Sequence, residues 1–166
     1  MKISRLAPLF LLIALFSSCT SYRNKAEELT LPIIQGIQGD NYDKIKCLLT
    51  PKENVNELFA KNKSKLGWIY YNKYTESYRY QTLIANSRVD FDRIQDYSKQ
   101  YGLDWSQVQL GEVTKQDVSD SMSDYSLLEA KLSFPKGLYV LKFDAAHIAG
   151  NWYLLHNIMI YPQVHP

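Results

Sequence analysis

Three strand-length runs near the C-terminal end constrain this chain more than any other feature. Residues 127–134, 138–148 and 151–161 are separated only by Pro135-Lys136-Gly137 and by Ala149-Gly150. Such short links cannot carry a parallel crossover, so the segment is predicted to be an antiparallel meander. A two-residue turn at Ala149-Gly150 sets Ile148 opposite Asn151 and His147 opposite Trp152. Alternation then gives one sheet face Tyr139, Leu141, Phe143, Ala145 and His147, beside Trp152, Leu154, His156, Ile158 and Ile160. That apolar face is the expected core side. The other face carries Lys142, Asp144, Asn151 and Asn157 among apolar neighbours, a half-wet surface, and a slip of one residue would exchange the two.

Ahead of these strands the apolar spacing is helical. Leu29, Ile33, Ile34 and Ile37 recur on one helical face, and Pro32 belongs only near a helix start, so a helix is predicted from about Thr30. Gly39 followed by Asp40 and Asn41 reads as a stop and a new cap before Ile45, Leu48 and Leu49. Thr50-Pro51-Lys52-Glu53 joins an N-cap hydroxyl, a first-turn proline and a capping-box glutamate ahead of Val55, Leu58 and Phe59. Residues 67–84 show no helical period and carry Trp68, Ile69, Thr82 and five tyrosines, which predicts a strand. Asp90 is then expected to cap a helix with the stripe Phe91, Ile94, Tyr97 and Tyr101, closed by Gly102. Residues 104–113 alternate as a strand, and residues 114–124, with three aspartates and three serines, read as an exposed loop. The fold class predicted is α+β, with helices packed on an antiparallel sheet.

The N-terminus has a different character. Lys2 and Arg5 precede the apolar run LAPLFLLIALF at residues 6–16, the layout of a secretion signal. Its 11 residues are too few for a membrane span, which needs about 20 in a helix. Ser17 and Ser18 lead directly into Cys19, and this junction resembles the lipobox of bacterial lipoproteins, with Phe16 standing where leucine is usual. The resemblance implies that residues 1–18 are removed and that Cys19 carries lipid, which anchors the chain to a membrane through acyl chains worth about 0.8 kcal/mol per buried methylene. Thr20, in place of an acidic residue, implies the outer membrane as the address. Residues 19–28 are then a tether, residues 29–161 a single domain and residues 162–166 a tail. On this reading Cys47 is a small core residue and no disulfide is expected. One alternative is an ordinary signal cut slightly later, after Cys19-Thr20-Ser21, which would release a soluble protein; another, Cys19 bridging to Cys47, survives only if the lipobox reading fails.

Removing residues 1–18 takes Lys2 and Arg5 from the 19 basic residues and leaves 17 against 17 acidic ones. A mature chain of zero net charge lacks the basic stripe that phosphate backbones attract, so nucleic acid is not an expected partner.

Helices ahead of an antiparallel meander, with GDNYDKIKCLLTP near the start and AGNWYLLHNI in the last hairpin, resemble the NTF2-like and cystatin-like α+β fold over residues 29–161. The resemblance implies a bent sheet cupping the helices and, in family members, a pocket on its concave face. His156, Tyr139, Phe143 and Trp152 are the candidates to line it here. That fold hosts unrelated activities, so the site has to choose among them. No HExxH, GxSxG, P-loop, EF-hand or cysteine–histidine cluster occurs, and neither a metal nor a cofactor is expected. His156 reads as a core histidine and His147 as a hairpin-tip residue, with the nearest acid, Asp144, on the opposite face. Tyr70, Tyr71, Tyr74, Tyr78 and Tyr80 offer rigid rings with polar tips, a surface suited to sugars, peptides or proteins. The function expected is a non-enzymatic lipoprotein module that binds a protein, peptide or glycan at the cell envelope. Two alternatives stand beside it: a small pocket enzyme with His156 as general base, and an inhibitor or immunity-type protein presenting residues 114–124 to an envelope hydrolase.

Overall fold

The computed structural model describes residues 22–61, 76–118, 125–155 and 157–163. The chain is α+β: among the described residues helices come first, and five strands form one antiparallel sheet. A 3₁₀ turn at Ala26–Leu29 leads into α1 (Thr30–Gln38) and α2 (Tyr42–Lys46). A second turn at Lys52–Asn54 leads into α3 (Val55–Lys61), and α4 spans Glu76–Tyr101. A third turn at Trp105–Gln107 precedes β1 (Gln109–Asp117), β2 (Tyr125–Phe134), β3 (Gly137–Ile148), β4 (Asn151–Leu154) and β5 (Met159–Pro162). The sheet runs β1-β2-β3-β4, and β5 pairs with β3 farther along the same edge as β4.

The first helices follow the sequence closely. Thr30 opens α1, and Asn41 caps α2 by accepting from the Lys44 amide at 3.3 Å. The third start differs by one residue: Pro51, not Thr50, is the N-cap of the 3₁₀ turn. The Thr50 hydroxyl is buried and finds no acceptor or donor among the described residues.

The largest departure is α4, which runs unbroken for 26 residues. Tyr78, Tyr80 and Thr82, expected in a strand, are helical, and Asp90 lies in mid-helix where a cap was expected. The buried stripe explains the misreading, because it consists of Leu83, Ser87, Asp90, Phe91, Ile94 and Ser98. Three of these are small polar residues, so the helical period is invisible to an apolar pattern. Each polar member has a partner that makes its burial affordable. The Ser98 hydroxyl donates to the Ile94 carbonyl at 2.6 Å and accepts from the Trp105 indole at 2.8 Å. The Ser87 hydroxyl meets the Ile84 carbonyl at 2.9 Å and the Tyr42 hydroxyl at 2.8 Å.

In the sheet, the register is the one read from the sequence: His147 faces Trp152 and Ile148 faces Asn151. The turn between them places Ala149 at φ 49° and Gly150 at φ 80°, the left-handed pair that a tight hairpin requires. Leu128, Ala130, Leu141, Phe143, Ala145 and Leu154 have no exposed surface. Trp105, Phe134 and Tyr139 extend this core with edge-to-face contacts at 5.2 and 5.4 Å. The sheet curls over this face. The Lys115 ammonium on β1 lies 4.9 Å from the Trp152 ring on β4, although two strands intervene, a gap of about 14 Å in a flat sheet.

Three expectations shift in detail. The strand placed at residues 104–113 begins at Gln109, because Asp104 instead accepts from the Ser106 amide at 2.9 Å and opens the 3₁₀ turn. It also continues through residues 114–117, expected in a loop, while residues 119–124 lie outside the described residues. The run 151–161 is interrupted between Leu154 and Met159, where Asn157 adopts φ 62°. Finally, the second sheet face is wet only in part. Lys142 pairs with Glu129 at 3.3 Å near the surface, but Asp144, Ala146 and Ile148 are buried.

Tyr125 on that face donates its hydroxyl to Asp144. Burial and the neighbouring carboxylate push the Tyr125 hydroxyl far above the ordinary phenolic range. A pKa raised by folding stabilises the native state below the unfolded value of about 10, and that contribution is lost as pH climbs beyond it. Melting temperatures are therefore expected to fall between about pH 9 and 12, and Tyr125→Phe to flatten the decline. An unchanged slope in the variant would remove Tyr125 as its source.

Candidate functional site: a tyrosine-lined groove

The segment expected as a tether is docked from residue 22 onward. The Arg23 amide donates to the Asn151 side chain at 2.6 Å, and the Arg23 carbonyl accepts from the Trp152 amide at 3.2 Å. Ala26 and Leu29 then have no exposed surface, so this stretch is part of the core. A second segment reaches β4 as well: Leu49 bridges Leu154 in parallel, and the Leu48 carbonyl accepts from the Leu154 amide at 2.8 Å.

Around this double capping of β4 lies a groove of about 570 Å³. Three aromatic rings line it, Tyr22 from the N-terminal segment, Tyr80 from the first turns of α4 and Tyr153 from β4. Leu49 and Pro51 add apolar surface, Asp43, Lys46 and Glu53 add charge, and Asn54 and Asn151 add amides. Tyr153 reaches it because it alternates away from the face that buries Leu154. Tyr22 lies at the hairpin tip, its hydroxyl 3.6 Å from where a Cβ on Gly150 would stand. Rings beside donors and acceptors make a surface suited to stacking on and hydrogen bonding with an amphipathic or polar ligand.

The residues singled out from sequence separate into groups. Tyr80 lines the groove, and Tyr78 projects from α4 to solvent, 48% exposed. Tyr70, Tyr71, Tyr74, His156 and Cys19 lie outside the described residues. Tyr139 and Phe143 belong to the packed core and not to the groove wall. Trp152 is half-buried, its ring 5.1 Å from that of His147. Asp144 does lie on the face opposite His147, as read, but it is buried and accepts from the Asn157 side chain at 2.8 Å.

Cys47 requires a correction. It is half-buried in the groove wall at the C-terminal end of α2, and it is disulfide-bonded, where a lone core thiol was expected. Cys19 is the only other cysteine in the sequence. The groove itself was not foreseen. Its wall draws on positions 22, 43–54, 80 and 151–153, and of these only Tyr80 carried a local signal, that of aromatic composition.

Among the described residues no group of three or more histidine, cysteine, aspartate and glutamate side chains is placed to hold a metal ion. Among them, too, no helix is long and apolar enough to cross a membrane. Comparisons with protein-family models, with curated proteins and with solved structures find no match to this chain.

Proposed function

We propose that the chain is an exported lipoprotein, held in the outer membrane through lipid on Cys19, whose domain is a non-enzymatic module binding a protein, peptide or glycan of the cell envelope in the tyrosine-lined groove. The observation that carries this reading is the convergence of Tyr22, Tyr80 and Tyr153 on a groove with no histidine among its described lining residues. The helices-first order, the meander and the curl carried by Lys115 and Trp152 support the NTF2-like and cystatin-like resemblance.

A lipid-bearing Cys19 sulfur cannot also bond Cys47, so the disulfide at Cys47 belongs to the lipid-free chain, and on this reading the lipid-bearing chain lacks that bond. The full chain expressed in a bacterial host is expected to yield a mature species beginning at Cys19 with the mass of its acyl chains. Cys19→Ser should abolish lipid labelling and leave the precursor uncleaved after Ser18. A lipid-free mature chain carrying a Cys19–Cys47 bridge, or normal processing of the variant, would refute the anchor. For the groove, peptide and glycan arrays probed with the mature domain should show a ligand whose affinity drops roughly tenfold, about 1.4 kcal/mol, in Tyr153→Ala. Binding indifferent to that change would move the site elsewhere.

A further inference from the structure

We infer that the rim of the groove seats on the phospholipid headgroups of the membrane that holds Cys19, so that the groove's ligand is one presented at the bilayer surface. This rests on the lipoprotein reading above and adds an orientation to it.

The length of the leash carries the argument. Backbone docking begins at Arg23, whose amide and carbonyl are both bonded to the start of β4. The side chain of Tyr22 already lines the groove. Between Tyr22 and the lipid-bearing position stand only Thr20 and Ser21. Three residue steps span at most about 11 Å. A tether over residues 19–28 would have reached roughly three times as far and allowed the domain to present any face. With the short leash, the face that meets the bilayer is the one where Tyr22 stands.

That face is at one end of the domain. Tyr22 lies against the Ala149-Gly150 tip of the β3–β4 hairpin. From that tip β3 runs 12 residues to Gly137, about 40 Å at the rise of an extended strand. The Pro135-Lys136 turn is therefore at the far end of that hairpin from Tyr22, and seating by the Tyr22 face would hold it away from the membrane.

The chemistry of the rim agrees with this placement. Tyr22 is 65% exposed, a large ring left in solvent beside the anchoring position. Tyrosine rings with polar tips settle at the membrane–water interface. Asp43, Lys46 and Glu53 are the charged residues of the lining, and exposed Lys52 adjoins Glu53 in sequence, so the rim carries little net charge. The leash and the rings hold it, and net charge does not, so seating should survive high salt and neutral lipid.

The test uses the full lipid-bearing chain in phosphatidylcholine vesicles, with a nitroxide on a fraction of the headgroups. A fluorophore is attached at Glu53→Cys on the groove rim or at Leu138→Cys at the far end, each in a Cys47→Ser background that removes any competing bridge. Quenching at position 53 is expected to exceed that at position 138 at least threefold, with and without 1 M salt. Equal quenching at both positions, or stronger quenching at 138, on a chain whose mass shows the lipid would overturn the seating alone. A chain whose mass shows no lipid would overturn the anchor and the seating together.

Discussion

Replacing Phe143 with alanine is expected to cost about 3–5 kcal/mol of folding stability, measured by urea unfolding. The ring has no exposed surface and sits at the middle of β3 with Leu128 opposite it on β2. Leu141 and Ala145, two residues to either side on the same face, are equally buried, so the hole cannot be filled by sliding a neighbour inward. β3 is paired with β2 at Phe143 and is held on its other edge just before and just after it, at residues 139–142 and 145–148, so it cannot easily collapse into the space, which is why the cost should approach the upper part of that range. The result also bears on function. If Phe143 lined a hollow pocket on the concave face, as the family resemblance implied, truncation would cost about 1 kcal/mol or less, because the cavity would already exist. A small loss would return weight to a pocket enzyme, and a large one would leave the groove as the proposed ligand site.

The sheet was legible for a geometrical reason. Two links short enough to force hairpins, together with the alternation of Tyr139, Leu141, Phe143 and Ala145, leave a single register that buries the apolar set, and β3 and β4 adopt it. Helix starts marked by local capping chemistry, such as Asn41, were legible for a similar reason. What failed depended on tertiary partners. Ser87, Asp90 and Ser98 form the buried stripe of α4 only because Tyr42, Trp105 and the β4–β5 connection supply hydrogen bonds to them. No window of sequence contains those partners, so the tyrosines around Tyr78 and Tyr80 read as strand by composition alone. The polar stretch from residue 22 looked like a tether until the strand edge that docks it was in place. The groove is made where four distant segments converge, and of its residues composition had marked Tyr80 alone.

Asp90→Ala is expected to cost roughly 1–4 kcal/mol, because the carboxylate of this mid-helix residue is the acceptor for two backbone amides of the β4–β5 connection. Its Oδ2 accepts from the backbone amide of Asn157 at 2.8 Å and from that of Ile158 at 3.3 Å. Both amides belong to the break between β4 and β5, where neither can join the ladder to β3. Alanine would leave two donors unpaired: that of Ile158, in a residue only 1% exposed, at about 1–3 kcal/mol, and that of Asn157, in an exposed residue where water replaces part of the lost bond. The ion pair with Arg93 is a minor part of the effect: at 3.4 Å, with the Arg93 side chain 63% exposed, it is worth about 0–1 kcal/mol. Two further variants separate the contributions. Arg93→Ala should change stability by less than about 1 kcal/mol. Asp90→Asn, which keeps one acceptor oxygen, should lose clearly less than Asp90→Ala. Equal losses in Asp90→Asn and Asp90→Ala would mean that charge, and not the two amide bonds, holds the connection. The consequence reaches the groove, because the strand that this connection terminates, β4, supplies Asn151 and Tyr153 to its wall. Hydrogen exchange should report this coupling directly, with the amides of Asn157 and Ile158 losing protection first and that of Leu154, bonded to the Leu48 carbonyl at 2.8 Å, following as the edge loosens. Protection at Leu154 unchanged while Asn157 exchanges freely would show that the connection opens without disturbing the groove.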